Sequence, residues 1–182
     1  PDVRRCVTMD LKEPGNLLFL VGATKDEMGG SHYHLVRGLE GGTVPRPDVE
    51  LAPRLFRKLH EAIQAGVVRS CHDLSEGGLA VAVAEMAFAG GIGADLTRLE
   101  TAAAALPDEV LLFAESTTRF VVEVRPDRVD AFQVALGSDI PLTQLGMTCQ
   151  EPRLRIAGVK GEWIIWAQSA QLKEAWQKPL RW

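Results

Sequence analysis

The chain has 182 residues, 46% hydrophobic and 24% charged, enough for one globular domain with its own core. A net charge of −4, with one Tyr and six Phe and no basic–aromatic interleaving, argues against a nucleic-acid partner. Three scattered cysteines without a CxxC argue against a disulfide framework or zinc site and fit a reducing cytoplasm, and no apolar run is long enough to span a membrane.

In chain order, Val3, Val7 and Met9 alternate weakly and predict an edge strand, followed by a turn at Pro14-Gly15-Asn16. Residues 17–22 form a short apolar run ending in Gly, the pattern of a buried strand. Residues 23–48 predict a long polar loop, which at that length is usually functional. It carries Gly29-Gly30-Ser31-His32-Tyr33-His34 and Gly41-Gly42. If extended, it would put His32 and His34 on one face, but no third ligand stands at a metal-site spacing, and both read as loop histidines.

Leu51, Leu55, Leu59 and Ile63 recur every four residues and predict a helix, flanked by Phe56 and Ala62. Pro53 belongs in its first turn and Gly66 ends it. Arg54, Arg57, Lys58 and Glu61 form its solvated face. Residues 67–70 predict a strand that feeds a polar turn, Cys71-His72-Asp73-Leu74-Ser75-Glu76, and then an Ala-rich helix over 77–89, apolar nearly all round.

A strand over 92–96 follows, then a loop or weak helix over 97–105 and a short helix from Pro107 to Phe113. A second polar cluster, residues 114–119, runs into a strand over 120–124. Pro126 opens a helix with Val129, Phe132 and Leu136 on one face and Gly137 at its end. Strands over 142–147, 153–156 and 163–166, a hairpin connection at 158–161 and a helix over 169–177 finish the chain. The expected fold is α/β, a mixed β-sheet with packed helices, in a single domain spanning 1–182. The first residue is Pro, not Met, which reads as a piece of a longer protein.

The chemistry gathers at the two polar segments. The first sets a carboxylate, an imidazole and a hydroxyl ahead of Gly77-Gly78 at a helix start. Free N–H groups and the dipole there favour phosphate, and glycines let it come close. Asp73 repels phosphate directly but could hold a cation that binds it. The plainer reading is that Asp73 or Ser75 caps the helix, worth about 1 kcal/mol, and that the glycines allow tight packing. The residues alone leave both open.

The second segment puts Glu115, Ser116, Thr117, Thr118 and Arg119 at a strand entrance, which makes a cleft shared by the two segments a natural reading. Asp73 and Glu115 are candidates for an acid/base pair, though nothing in the sequence sets their separation. Cys71 and His72 are strand neighbours pointing to opposite faces, so they do not pair as nucleophile and base. No Walker A, GxGxxG or GxSxG motif is present.

Residues 70–82 resemble the HDxSxGGL signature of the C-terminal domain of the aminoimidazole-ribonucleotide-synthetase-like superfamily. Residues 113–120 are similar to its F-x-E-S-x-x-R stretch, Gly29-Gly30-Ser31-x-Tyr33 to its GGSEY loop, and Leu145-Gly146 to its LG-x-V turn. Four motifs in order, over about residues 7–180, resemble the phosphoribosylformylglycinamidine synthase family. The resemblance implies a ligase of purine biosynthesis that uses ATP, Mg²⁺ and glutamine-derived ammonia to convert formylglycinamide ribonucleotide to the amidine. It implies a cytoplasmic enzyme built from two repeats, of which this chain resembles the final C-terminal domain.

The N-terminal synthetase domains and a glutaminase would be its partners, with a homodimer left open. Carried over by position, Asp73 is the metal-side residue. His72, Ser75, Gly77, Gly78, Glu115, Ser116, Thr117 and Arg119 line a nucleotide or substrate pocket, with Arg119 pairing an anion or Glu115. The matching segments of the first repeat typically read QDMGAAG and ESQ, which leaves open an auxiliary role for this pocket. His32 stands where the family often has Glu, a departure that puts that loop position in doubt. The resemblance further implies that the chain alone is inactive.

Two other readings remain. One is a selenophosphate synthetase, thiamine-monophosphate kinase or hydrogenase-maturation relative. The other is a non-catalytic scaffold, with residues 17–21 and the Ala-rich helix as its exposed apolar face.

Overall fold

The apolar run Leu17–Val21 becomes β1, and its alternation sorts the core into two halves. Leu18 and Leu20 enter a cluster on one face of a sheet, while Phe19 and Val21 enter a second cluster on the other. A computed structural model describes residues 2–103 and 105–180 of the chain. Within the expected 97–105 segment, Ala104 lies outside the described residues.

The sequence builds α1 (His32–Arg37), α2 (Leu51–Gln64), β2 (Ser70–Asp73), α3 (Gly78–Gly90), β3 (Gly93–Leu96), α4 (Glu100–Ala103) and α5 (Asp108–Phe113). It continues with β4 (Phe120–Val124), α6 (Val129–Leu136), β5 (Leu142–Cys149), β6 (Arg153–Ala157), β7 (Trp163–Gln168) and α7 (Ser169–Gln177). The strands form one mixed sheet in the order β2-β4-β1-β5-β3-β6-β7. Neighbours are antiparallel except β3 and β6.

Helix α3 is apolar on nearly all sides because most of it is enclosed: Leu79, Val83 and Met86 pack against the sheet. Each such side chain contributes about 1.5–3 kcal/mol by leaving water. Helices α2 and α6 cover the opposite face through Leu55, Leu59, Phe132 and Leu136. They cover only the β2-β4-β1 half. On the other half that face is polar and aromatic: Asp95 accepts from Arg153 and Arg155, and the Arg155 guanidinium lies 4.4 Å and 5.3 Å from the rings of Trp163 and Trp166.

Several expectations are corrected. Residues 3–9 form no strand. Val3–Arg5 is a 3-10 turn capped by Asp2, and the following segment gives the edge of β2 a single backbone bond, from Cys71 N–H to Thr8 O. The strand expected over 67–70 lies three residues later, so the polar segment is itself the strand. It takes its register from β4, with Ser70 opposite Glu123 and Asp73 opposite Phe120. The 23–48 loop contains α1, capped by Ser31 and stopped by Gly38 at φ 63°. His32 and His34 are then about 200° apart around a helix axis and share no face. The scaffold reading loses its proposed apolar face, because β1 lies at the sheet centre and α3 is buried.

Candidate functional site

Asp73 ends β2, and the chain turns through Ser75 to Gly77 before α3 begins. The Ser75 hydroxyl donates to Asp73 Oδ2, and His72 Nδ1 lies 3.3 Å from Oδ1. The Ser75 contact, chief among several, holds the Asp73 carboxyl below its ordinary value. Neither residue caps α3. Its N-cap is Gly77 at φ 80°, without a side-chain cap bond.

The capping carboxylate comes from the other polar segment. Glu115 Oε1 accepts from Gly77 N–H at 2.8 Å and from His32 N–H at 2.9 Å, and it lies 3.2 Å from His32 Nδ1. A carboxylate at this end of a 13-residue helix gains from the dipole. The Gly77 N–H expected to face a ligand is therefore held by the protein itself, and Gly78 N–H bonds Ser75 O.

The two segments meet because residue 78 has no side chain. A Cβ there would lie 2.5 Å from Ala114 O and 2.9 Å from Leu112 O, and φ is +65°. At Gly77 a Cβ would lie 2.3 Å from Val81 Cγ2.

The rest of the second segment is braced from inside. Ser116 is buried; its Oγ accepts from Lys25 N–H at 3.1 Å and donates to Lys25 O at 3.3 Å. Thr117 is exposed and donates to Arg46 O at 3.4 Å. Arg119 bounds the cleft but is only 1% exposed: it donates to Ser116 O and Thr24 Oγ1, each at 2.9 Å, and to Ala114 O. It forms no ion pair with Glu115. Burial pulls the Arg119 guanidinium down to about 10, against the pull of Glu27 and Glu115, and it stays a cation at neutral pH. Thr118 beside it takes the left-handed conformation at φ 61°, a strained choice for a β-branched residue.

These contacts leave a cleft of about 290 Å³ bounded by Phe56, Asp73, Ser75, Glu115, Thr117 and Arg119. Behind Asp73 and Ser75 a second hollow of about 200 Å³ is lined by His72, Glu76 and Glu85. His72 Nε2 lies 2.8 Å from Glu85 Oε2, and Glu85 Oε1 accepts from the Trp176 indole at 2.7 Å. Sequence reading missed Glu85 and Trp176. The available signal was that Glu85 is the one charged residue in the α3 sequence. A third hollow, between α3 and α7, is mostly apolar and shares the Glu85–Trp176 pair as part of its lining.

Burial pushes the Cys71 thiol up to about 12, so it is no thiolate nucleophile at neutral pH. Among the described residues no three His, Cys, Asp or Glu side chains gather to hold a metal. Asp73 is more than half exposed, which suits one carboxylate contact to a Mg²⁺ that keeps waters and phosphates as its other ligands. It does not make a self-sufficient metal cage. No helix among the described residues is long and apolar enough to cross a membrane.

Residues 13–158 match the family described as AIR synthase related protein, C-terminal domain. The phosphoribosylformylglycinamidine synthase subunit PurL of Alkaliphilus metalliredigens is 39% identical over 183 residues, covering 99% of this chain and 24% of that protein. The Deinococcus radiodurans subunit of the same name is 36% identical over 190 residues, covering 100% and 25%. The chain thus spans about a quarter of the length of the curated relatives it matches.

Among solved structures, Thermotoga maritima PurL complexed with FGAR superposes with a TM-score of 0.82 at 18% identity, over 93% of this chain and 30% of that one. The same protein complexed with ATP gives 0.72 at 16%, over 93% and 27%. Hydrogenase maturation protein HypE in complex with ATP gives 0.61 at 14%, over 92% and 55%. At these identities the likeness is one of fold.

Proposed function

The chain belongs to the AIR synthase related protein, C-terminal domain family, and on that premise we propose that it is the final C-terminal domain, 1–182, of a phosphoribosylformylglycinamidine synthase. The observation that carries this reading is identity of 39% across 99% of the chain against only 24% of the relative, the proportion expected of one module of a larger ligase. In this proposal the full cytoplasmic enzyme uses ATP, Mg²⁺ and ammonia from a glutaminase partner to convert formylglycinamide ribonucleotide to its amidine. Both named relatives carry that enzyme's name, which favours it over selenophosphate synthetase or thiamine-monophosphate kinase.

Within the module, Asp73 gives one carboxylate contact to Mg²⁺ beside nucleotide phosphates. Ser75 keeps that carboxylate oriented and ionised. Magnesium supplies charge neutralisation of the phosphates when bound. His72 is turned by Glu85 toward the hollow behind Asp73, and Glu115 ties the start of α1 to the start of α3. Thr117, like Ser75, brings an exposed hydroxyl to the cleft.

Two outcomes are expected. The 182-residue chain, supplied with ATP, Mg²⁺, ammonia and formylglycinamide ribonucleotide, gives no turnover, because three quarters of the enzyme is missing; measurable product overturns the module reading. By calorimetry the chain binds ADP with Mg²⁺ saturably, and Asp73→Ala weakens binding by about tenfold or more, or about 1.4 kcal/mol. Equal affinity in both proteins removes Asp73 from the metal side.

A further inference from the structure

We infer that the segment from α1 to the start of α2 is a docking surface, and that its occupant is an apolar face of the rest of the synthase. The inference rests on the proposed function and adds where the remainder of the enzyme sits. Leu35, Val36, Leu39, Val44 and Val49 are 76%, 83%, 51%, 64% and 74% exposed. That places five large apolar side chains in water within residues 35–49, a density that marks an interaction surface.

A segment free to rearrange would turn such side chains inward. This one is pinned with them outward. Gly29 N–H bonds Thr43 O at 2.8 Å, Arg46 N–H bonds Glu27 Oε1 at 3.2 Å, and His32 N–H bonds Glu115 at 2.9 Å. The Tyr33 ring stacks on Phe113 with centroids 4.9 Å apart, so α1 already has an inner face, and Leu35 and Val36 lie off it. The surface is preformed, and a partner that covers it need not pay to order it.

The chemistry selects a protein face. Arg37, Glu40, Arg46, Asp48 and Glu50 mix both signs through the segment with a slight acidic excess, which favours neither a phosphate backbone nor an anionic membrane. The exposed Trp163 and Trp166, on β7, already have the Arg155 guanidinium against them. The size of the missing part argues for the occupant: relatives 36–39% identical extend about three quarters of their length beyond the region matched here. The surface also adjoins the cleft through Glu115 and Thr117, so its occupant would complete the cleft wall.

The test uses a full-length chimera in which this chain replaces the matched quarter of the Alkaliphilus metalliredigens subunit. Photochemical carbene labelling, read residue by residue, is normalised to the urea-unfolded chimera. Val36 and Val44 are expected to fall to about a fifth of their unfolded labelling or less, as buried interface residues do. Retention of half or more overturns the docking surface, as does protection that appears only when the protein concentration is raised, since the occupant would then be a second copy. Synthase activity of the same chimera tests the functional reading separately. An active chimera with labelled Val36 overturns the surface alone; an inactive one with protected Val36 upholds the surface and counts against the reading.

Discussion

Replacing Arg119 by methionine is expected to lower the free energy of unfolding by about 2–4 kcal/mol, measured by urea denaturation. The guanidinium ties three points of the chain together: Ser116 O, Thr24 Oγ1 and Ala114 O. Each bond has a charged donor and contributes about 1.5–3 kcal/mol, offset by the cost of keeping a cation out of water. Methionine fills the volume but leaves two carbonyls without that donor. Lysine keeps the charge yet presents a point donor instead of a planar fork, so Arg119→Lys should recover less than half of the loss. The brace holds the loop that carries Glu115 and the strained Thr118, so loosening it should also reduce ADP affinity. A loss under about 1 kcal/mol would return Arg119 to the role of a ligand-facing cation, since exposed charges cost little to remove.

Arg119 also shows where sequence reading stopped. Its place in a hydroxyl-rich segment after Glu115 suggested an anion partner, and the motif resemblance pointed the same way. Whether an arginine faces a cleft or braces a loop from within depends on what the fold brings against it, and Thr24 is 95 positions away. The same limit hid the cap of α3. Local spacing nominated Asp73 and Ser75, whereas the carboxylate arrives from Glu115, 38 positions on, through contact at Gly78 that no local pattern encodes.

Elements whose signal is local were legible. Periodicity in Leu51–Gln64, the unbroken apolar run of Leu17–Val21 and the β6–β7 hairpin were all in the sequence. The start of β2 was misplaced because Val67 and Val68 are buried before the ladder begins. Burial and strand pairing give the same apolar signal but need not coincide. The shared cleft was legible as two polar clusters at strand ends. Its division into one side facing Glu115 and another facing Glu85 was not, since that depends on Asp73 and Ser75 standing between them.

Glu123→Leu is expected to cost about 3–5 kcal/mol in the same denaturation assay, the largest single effect outside the apolar core. Within Phe120–Val124 the sequence VVEV looks like a strand with one polar residue turned to water. In the fold Glu123 is fully buried. Its carboxylate accepts from Lys12 N–H at 2.9 Å, Glu13 N–H at 3.2 Å, the Asn16 amide at 2.6 Å and the Ser70 hydroxyl at 2.8 Å. Leucine would strand all four donors, and buried donors without acceptors carry their full desolvation cost.

Glu123→Gln separates charge from shape. Its oxygen can still accept, but its NH₂ would face groups that are themselves donors, so it should fall between wild type and leucine. The consequence reaches the candidate site along the sheet. Ser70 opens β2 and Asp73 closes it, both held in register by β4, so releasing the Ser70 end loosens the strand that presents His72 and Asp73. Glu123→Leu should therefore lose ADP affinity without touching any residue of the cleft. Unchanged affinity would mean that β2 takes its position from Val122, Val121 and Phe120 alone.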